Sequence, residues 1–315
     1  MVFRKIIGFG GSSYVISLPK EWIKSHNLSK GDSLNVEEDG GILKIHPQDL
    51  KQSSTKKEVI INFEGNLRVL KSELFNSYIN DYNIINIHKK DIGQYQDKIR
   101  ELVNNFIAID VIQVSEDRVI IKDYLNISDV SIYDTIRRID RIILSMFEDI
   151  RSSLNGEIGK EEQLKLKDED VNRLYNLVLK LLKKAMNPGD RKILNLQMEE
   201  IFYYWDLIIN IEEVGDQLKR MSRYIDKKAD KILCDLFERV FEHYKKAIKA
   251  NFSNNEQLAL EIMNLRKEIS DVCEKYAISG EIGSPILLER IKSIHHCSGN
   301  IARSYIKLGT KTKNL

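Results

Sequence analysis

A chain of 315 residues, 30% charged and with a formal net charge of +2 at pH 7, has room for two or three domains and lacks the charge excess of a nucleic-acid-coating tail. No apolar run approaches the roughly 20 residues that cross a bilayer, and the Gly/Ser-rich stretch after residue 5 is no signal-peptide core, so a cytoplasmic protein without membrane insertion is expected. Cys234, Cys273 and Cys297 stand far apart with no C-x-x-C pair; this argues against a zinc ribbon or a disulfide framework and predicts reduced, buried thiols.

The first 50 residues read as a compact β module. Gly8, Gly10 and Gly11 separate two apolar-alternating runs, residues 3–7 and 14–18, and predict a bent hairpin or kinked strand. Pro19 opens a short helix with Trp22 and Ile23 on one face, and L-S-K-G-D leads into two more strands split by Asp39, Gly40 and Gly41. So few large apolar side chains bury too little surface for an independent fold, which predicts a homodimer that shares one core.

The run Y-V-I-S-L-P-K-E-W-I-K-S-H-N-L-S-K-G-D-S-L-N-V resembles the AbrB/SpoVT-type domain, in which two chains interleave hairpins into one swapped-hairpin β-barrel that binds DNA. The resemblance implies transcriptional regulation, with contacts from basic residues on the first strands and the short helix; here those positions hold Arg4, Lys5, Lys20 and Lys24. Residues 1–50 contain six Lys/Arg (Arg4, Lys5, Lys20, Lys24, Lys30, Lys44) and six acids (Glu21, Asp32, Glu37, Glu38, Asp39, Asp49), so a grip on DNA requires cations gathered on one face.

Residues 50–57 lack apolar periodicity and read as a linker. Four β-branched runs (58–63, 83–89, 107–114, 118–124) and two runs with three-four apolar spacing (66–80, 95–106) then predict a small α/β sandwich at 58–126, ordered strand, helix, strand, helix, strand, strand, with a connecting and dimerising role. It carries no Gly-rich phosphate loop, and His88 beside Lys89 and Lys90 reads as a surface histidine.

From residue 128 the periodicity is helical throughout. Six long helices with repeating lengths, broken at N-P-G-D and at Gly/Ser-rich joints, predict two three-helix bundles in tandem, 128–226 and 229–310. On the first set, Glu212 and Asp216 are four residues apart and so share a helix face; Asp168 and Asn172 form a second such pair on the preceding helix. Oxygen-only ligands of this kind suit Mg²⁺, Mn²⁺ or Fe.

The sequences D-E-D-V-N-R-L-Y-N-L-V and I-E-E-V-G-D-Q-L-K-R-M look like the second and third helices of the PhoU family of phosphate-uptake regulators. Its E-R-I-G-D run is matched by Glu212, Glu213, Val214, Gly215 and Asp216, and its D-x-x-V/I-D run by Asp168, Val171 and Asn172. The resemblance implies two repeats, surface clusters of Mg, Mn, Fe or Zn held by these carboxylates, and repression of phosphate uptake through a phosphate ABC transporter ATPase or a sensor kinase. Asn172 replaces a carboxylate, and the second repeat places Arg266, Ser270, Lys292 and His296 where acids belong, so no metal is expected there. His295 and His296 diverge by about 100° on a helix and cannot readily chelate together.

The fold class expected is multidomain α+β: swapped-hairpin barrel, α/β sandwich, PhoU-like tandem bundles, an arrangement similar to archaeal-type fusions. The function expected is that of a DNA-binding regulator of phosphate homeostasis, with a signalling adaptor that does not bind DNA as the alternative. Without a nucleophile-base pair or phosphate-cradling loop, no enzymatic activity is expected.

Overall fold

The computed structural model describes residues 3–11, 13–39, 41–47, 57–253, 255–279 and 284–307; the expected linker at 50–57 lies, apart from Lys57, outside the described residues. The chain divides into two compact units, Met1–Lys57 and Glu58–Leu315. Among the described residues, no helix is long and apolar enough to cross a membrane.

In the first unit β1 (Ile7–Phe9) pairs antiparallel with β2 (Ser13–Val15), and Gly10 at φ +69° makes the turn, a conformation that costs glycine nothing. Pro19 leads into α1 (Lys20–Ser25), after which β3 (Leu34–Asp39) and β4 (Ile42–Pro47) form a second hairpin that turns through Gly41 at φ +87°. The first strand therefore starts later than residue 3, because the two hairpin arms pair only from Ile7 opposite Val15. Among the described residues of this unit, the four strands form two separate two-stranded sheets. Its strands leave Ile7 60%, Tyr14 80% and Ile42 61% exposed, and among the described residues the first buried branched aliphatic side chain is that of Ile61.

The second unit opens with the expected element order: β5 (Glu58–Asn62), α2 (Leu67–Ile79), β6 (Ile84–His88), α3 (Gln96–Val103), β7 (Ile109–Val114) and β8 (Arg118–Asp123). The sheet runs β5-β6-β8-β7; β5 and β6 are parallel, so α2 serves as their crossover, and β8 is antiparallel to both neighbours. Alternate residues Ile85, Ile87, Val119 and Ile121 face the core. His88 ends β6 half-buried rather than on the surface.

Among the described residues seven helices follow: α4 (Ile132–Leu154), α5 (Glu161–Lys184), α6 (Pro188–Ile193), α7 (Met198–Ser222), α8 (Lys231–Phe252), α9 (Glu256–Ser279) and α10 (Pro285–Lys307). Ser131 and Asp230 cap α4 and α8 by accepting from backbone N–H groups. The N-P-G-D segment, expected as a break, starts the short α6, because Asn187 caps it and Pro188 is tolerated in the first turn. Helices α4, α5 and α7 pack together, as do α8, α9 and α10, and α7 lies along α10 to join the two sets. Polar pairs pin that seam: Asn300 donates to Asn210 (3.1 Å), Ser304 to Asp206 (2.7 Å) and Arg290 to Gln217 (3.1 Å). Cys273 and Cys297 are buried, whereas Cys234 is only partly so because it sits in the first turn of α8.

Helix α5 also docks on the sheet layer. The Lys180 side chain is fully buried, with its ammonium on Asp123 of β8, 3.4 Å from Asp81 and over the Tyr78 ring. Lys184 pairs with Asp81, Lys183 donates to Asn80 (2.7 Å) and Asn176 donates to the Asn105 carbonyl (3.2 Å). Burial would raise the Asp81 carboxyl, but Lys184 and Lys180 outweigh it and hold it below its ordinary range.

Three outcomes follow from this packing. A Cβ on Gly215 would stand 2.6 Å from Cδ1 of the buried Ile143 across the α4–α7 contact. Gly215→Ala should therefore lower stability by about 1 kcal/mol, with strain exceeding the gain in helix propensity, and Ile143→Val, which removes that Cδ1, should recover the loss in urea denaturation. Lys180→Met should cost about 3–5 kcal/mol by stranding the Asp123 carboxylate, and the further change Asp123→Leu should restore most of it. His243 and His295 are buried with their Nδ1 atoms 3.2 Å apart, and burial lowers the His243 pKa below 6.5. The unfolded chain then binds more protons, so thermal stability should fall as pH drops below about 6.5, and His243→Gln should flatten that slope.

Candidate functional site

In the N-terminal unit, Arg4 and Lys5 occupy the segment before β1 rather than the strand itself. Lys20 and Lys24 lie on α1 four residues apart, hence on one face. All four are exposed, and among the described residues none carries an ion-pair partner. Cations left unpaired on a surface are free to displace counterions from a polyanion. The hairpins beside them supply the exposed apolar strands already described.

In the helical half, the expected ligands do converge, but not around an empty centre. Gly215 gives α7 its close approach to Ile143 of α4 and Val171 of α5, and that approach brings Asp216 and Glu212 to the face of α5 that carries Asp168. Lys219, one turn beyond Asp216, folds its ammonium between the two helices, 2.8 Å from Asp168 Oδ2 and 2.6 Å from Asp216 Oδ1. Arg220 takes the other Asp216 oxygen, and Asn172 turns its amide N–H onto Asp168 Oδ2 at 2.9 Å instead of presenting its carbonyl.

Burial pushes the Glu212 carboxyl up to about 7, helped by Asp216, Glu213 and Asp168 and opposed by Lys219. Burial works against the Lys219 ammonium as well, but Asp168 and Asp216 more than compensate and hold its pKa above the ordinary lysine value. Two carboxylates thus face two cations, with Glu212 near half-protonation at neutral pH. Among the described residues, no group of three or more His, Cys, Asp or Glu side chains is placed to hold a metal ion. The arrangement does not fit the implied metal, because Lys219 and the Asn172 amide both donate to Asp168 Oδ2 while Lys219 and Arg220 take the two oxygens of Asp216. Sequence reasoning missed Lys219 and Arg220; their signal was the spacing 212, 216, 219, 220, which sets all four on one helical face.

In the second helical set, Lys292 pairs with Glu289 at 3.1 Å, His296 is exposed and Ser270 is half-buried, while the side chains of Arg266 and Glu268 lie outside the described residues. His295 turns inward to His243 and points away from His296.

Residues 9–53 match the family described as "Antidote-toxin recognition MazE, bacterial antitoxin", and residues 136–225 match the PhoU domain. The second match spans α5, α6, α7 and most of α4 and stops before the second helical set. No curated protein and no solved structure gives a significant match to the chain. The chain joins a MazE/AbrB-type segment, which suggests a DNA-binding regulator, to a PhoU domain, which suggests phosphate homeostasis.

Proposed function

We propose that this protein is a cytoplasmic, non-enzymatic transcriptional regulator of phosphate uptake. It binds promoter DNA as a homodimer through Arg4, Lys5, Lys20 and Lys24, and its PhoU-like helices receive phosphate status from a phosphate transporter ATPase or a sensor kinase. The observation that carries this reading is the state of the N-terminal unit, where unpaired exposed cations stand beside apolar strands that one chain leaves uncovered. A second copy laid on those strands would close the swapped-hairpin barrel and bring two sets of the four cations onto one body. The equal numbers of acids and bases in residues 1–50 favour a second reading, in which the barrel only holds the dimer together and the helices dock on the transporter or kinase.

Titration of the full chain with fragments from phosphate-transport promoters at several salt concentrations separates the two. Binding should weaken with salt, and replacing Lys5 and Lys20 together by Ala should reduce affinity on every fragment by roughly 10- to 100-fold and flatten the slope by about one per lysine. Wild-type chain that ignores DNA at low salt, or a double variant of undiminished affinity, would establish the adaptor instead.

A further inference from the structure

We infer that Lys219 is a resident cation that holds the position a divalent ion would need between α5 and α7, so that the chain closes this carboxylate face with its own ammonium and takes up no metal there. The inference goes beyond the proposed function and is independent of whether the head binds DNA.

The geometry is that of a bridge. One Nζ lies 2.8 Å from a carboxylate of α5 and 2.6 Å from a carboxylate of α7, and these are the two helices that an ion would have to join. A metal bound to both oxygens would sit about 2.0–2.6 Å from each, within an ångström of where the nitrogen now is, and the two cations cannot share the place. Two neighbouring groups add to the obstruction. Arg220 holds Asp216 Oδ2, and the Asn172 amide donates to the same Asp168 oxygen that Lys219 uses, so a metal would find a donor N–H where it needs a lone pair.

Lys219 is also held in place. Its side chain is only 19% exposed, beside Asp168 at 7% and Asp216 at 17%, although a lysine at this surface could extend its charge into water. Partial burial strengthens both ion pairs relative to a solvated pair. Because the ammonium is tethered one turn from Asp216, it competes at a high effective concentration that no free ion matches.

The test uses the full chain and Mn²⁺ as probe. After dialysis against about 1 mM Mn²⁺ and removal of excess, wild type should hold no stoichiometric metal, whereas Lys219→Met should bind about one Mn²⁺ and gain several degrees in melting temperature from it. Addition of Asp168→Asn to Lys219→Met should abolish both effects, and Lys219→Arg should remain metal-free. Wild type that binds Mn²⁺ through Asp168 would overturn the inference, and so would a folded Lys219→Met that binds none. A readout on wild type needs no variant to fold: Lys219 should resist amine acetylation relative to exposed lysines, unchanged by Mn²⁺. Acetylation of Lys219 that rises when Mn²⁺ is added would show that a metal displaces it and would also overturn the inference.

Discussion

The second unit depends on the burial of a single charge. Lys180 reaches from α5 into the sheet layer, where Asp123 and Asp81 satisfy it and the Tyr78 ring covers it. A buried ammonium is tolerable only when paired, so this contact fixes how the α/β layer and the helices meet: any shift of α5 along or around its axis would strand a charge. It specifies the docking more than it stabilises it, since two well-packed apolar side chains could fill the same space at little loss.

Helix α5 carries this role along one ridge. Asp168, Asn172, Asn176, Lys180 and Lys184 recur every four residues and form a row that turns slowly around the helix. Its acidic end meets Lys219 of α7, and its basic end meets Asp81 and Asp123 below the sheet. The ion pairs at the two ends are of opposite sense, yet both leave charge compensated inside the chain. Arg151, held by both oxygens of Glu238 at 2.6 Å, extends the same pattern to the α4–α8 contact, where the buried Asp140 also accepts from the Tyr244 hydroxyl at 3.0 Å. Among the described residues of the second unit, the most deeply buried ammonium, that of Lys180, is thus compensated within the chain.

Periodic features were legible from the residues alone. β-branched runs near 58, 84, 109 and 118 and the long three-four patterns after 128 gave the elements in order, because burial of one face imposes those periods locally. Features set by distant partners were not. Lys219 lies 51 residues from Asp168 and Lys180 lies 57 from Asp123, and no local pattern says which acid a lysine will reach. Spacing put Glu212 with Asp216 and Asp168 with Asn172 on one face of their own helices, and the PhoU resemblance implied that the two pairs meet, but neither could show that a cation of the same chain stands between them. The short α6 was missed because N-P-G reads equally as a turn or as a capped helix start. Arg4 and Lys5 were expected within a strand that begins only at Ile7, since pairing register depends on the opposing arm.

The N-terminal unit differs from the second in being unsatisfied. Its hairpins expose Ile7, Phe9, Tyr14, Val36 and Ile42, apolar surface on a scale that soluble monomers rarely leave open, next to cations without partners. A second copy is the occupant that the swapped-hairpin resemblance implies, and the proposed function requires that the head close into a barrel with it. Hydrogen exchange of the full chain across a dilution series tests this most directly. A dimer is expected in which the amides of residues 7–11, 13–15, 34–39 and 41–46 are protected, with protection lost as the chain is diluted below its dissociation constant. A monomer whose head amides are equally protected at every concentration would contradict it.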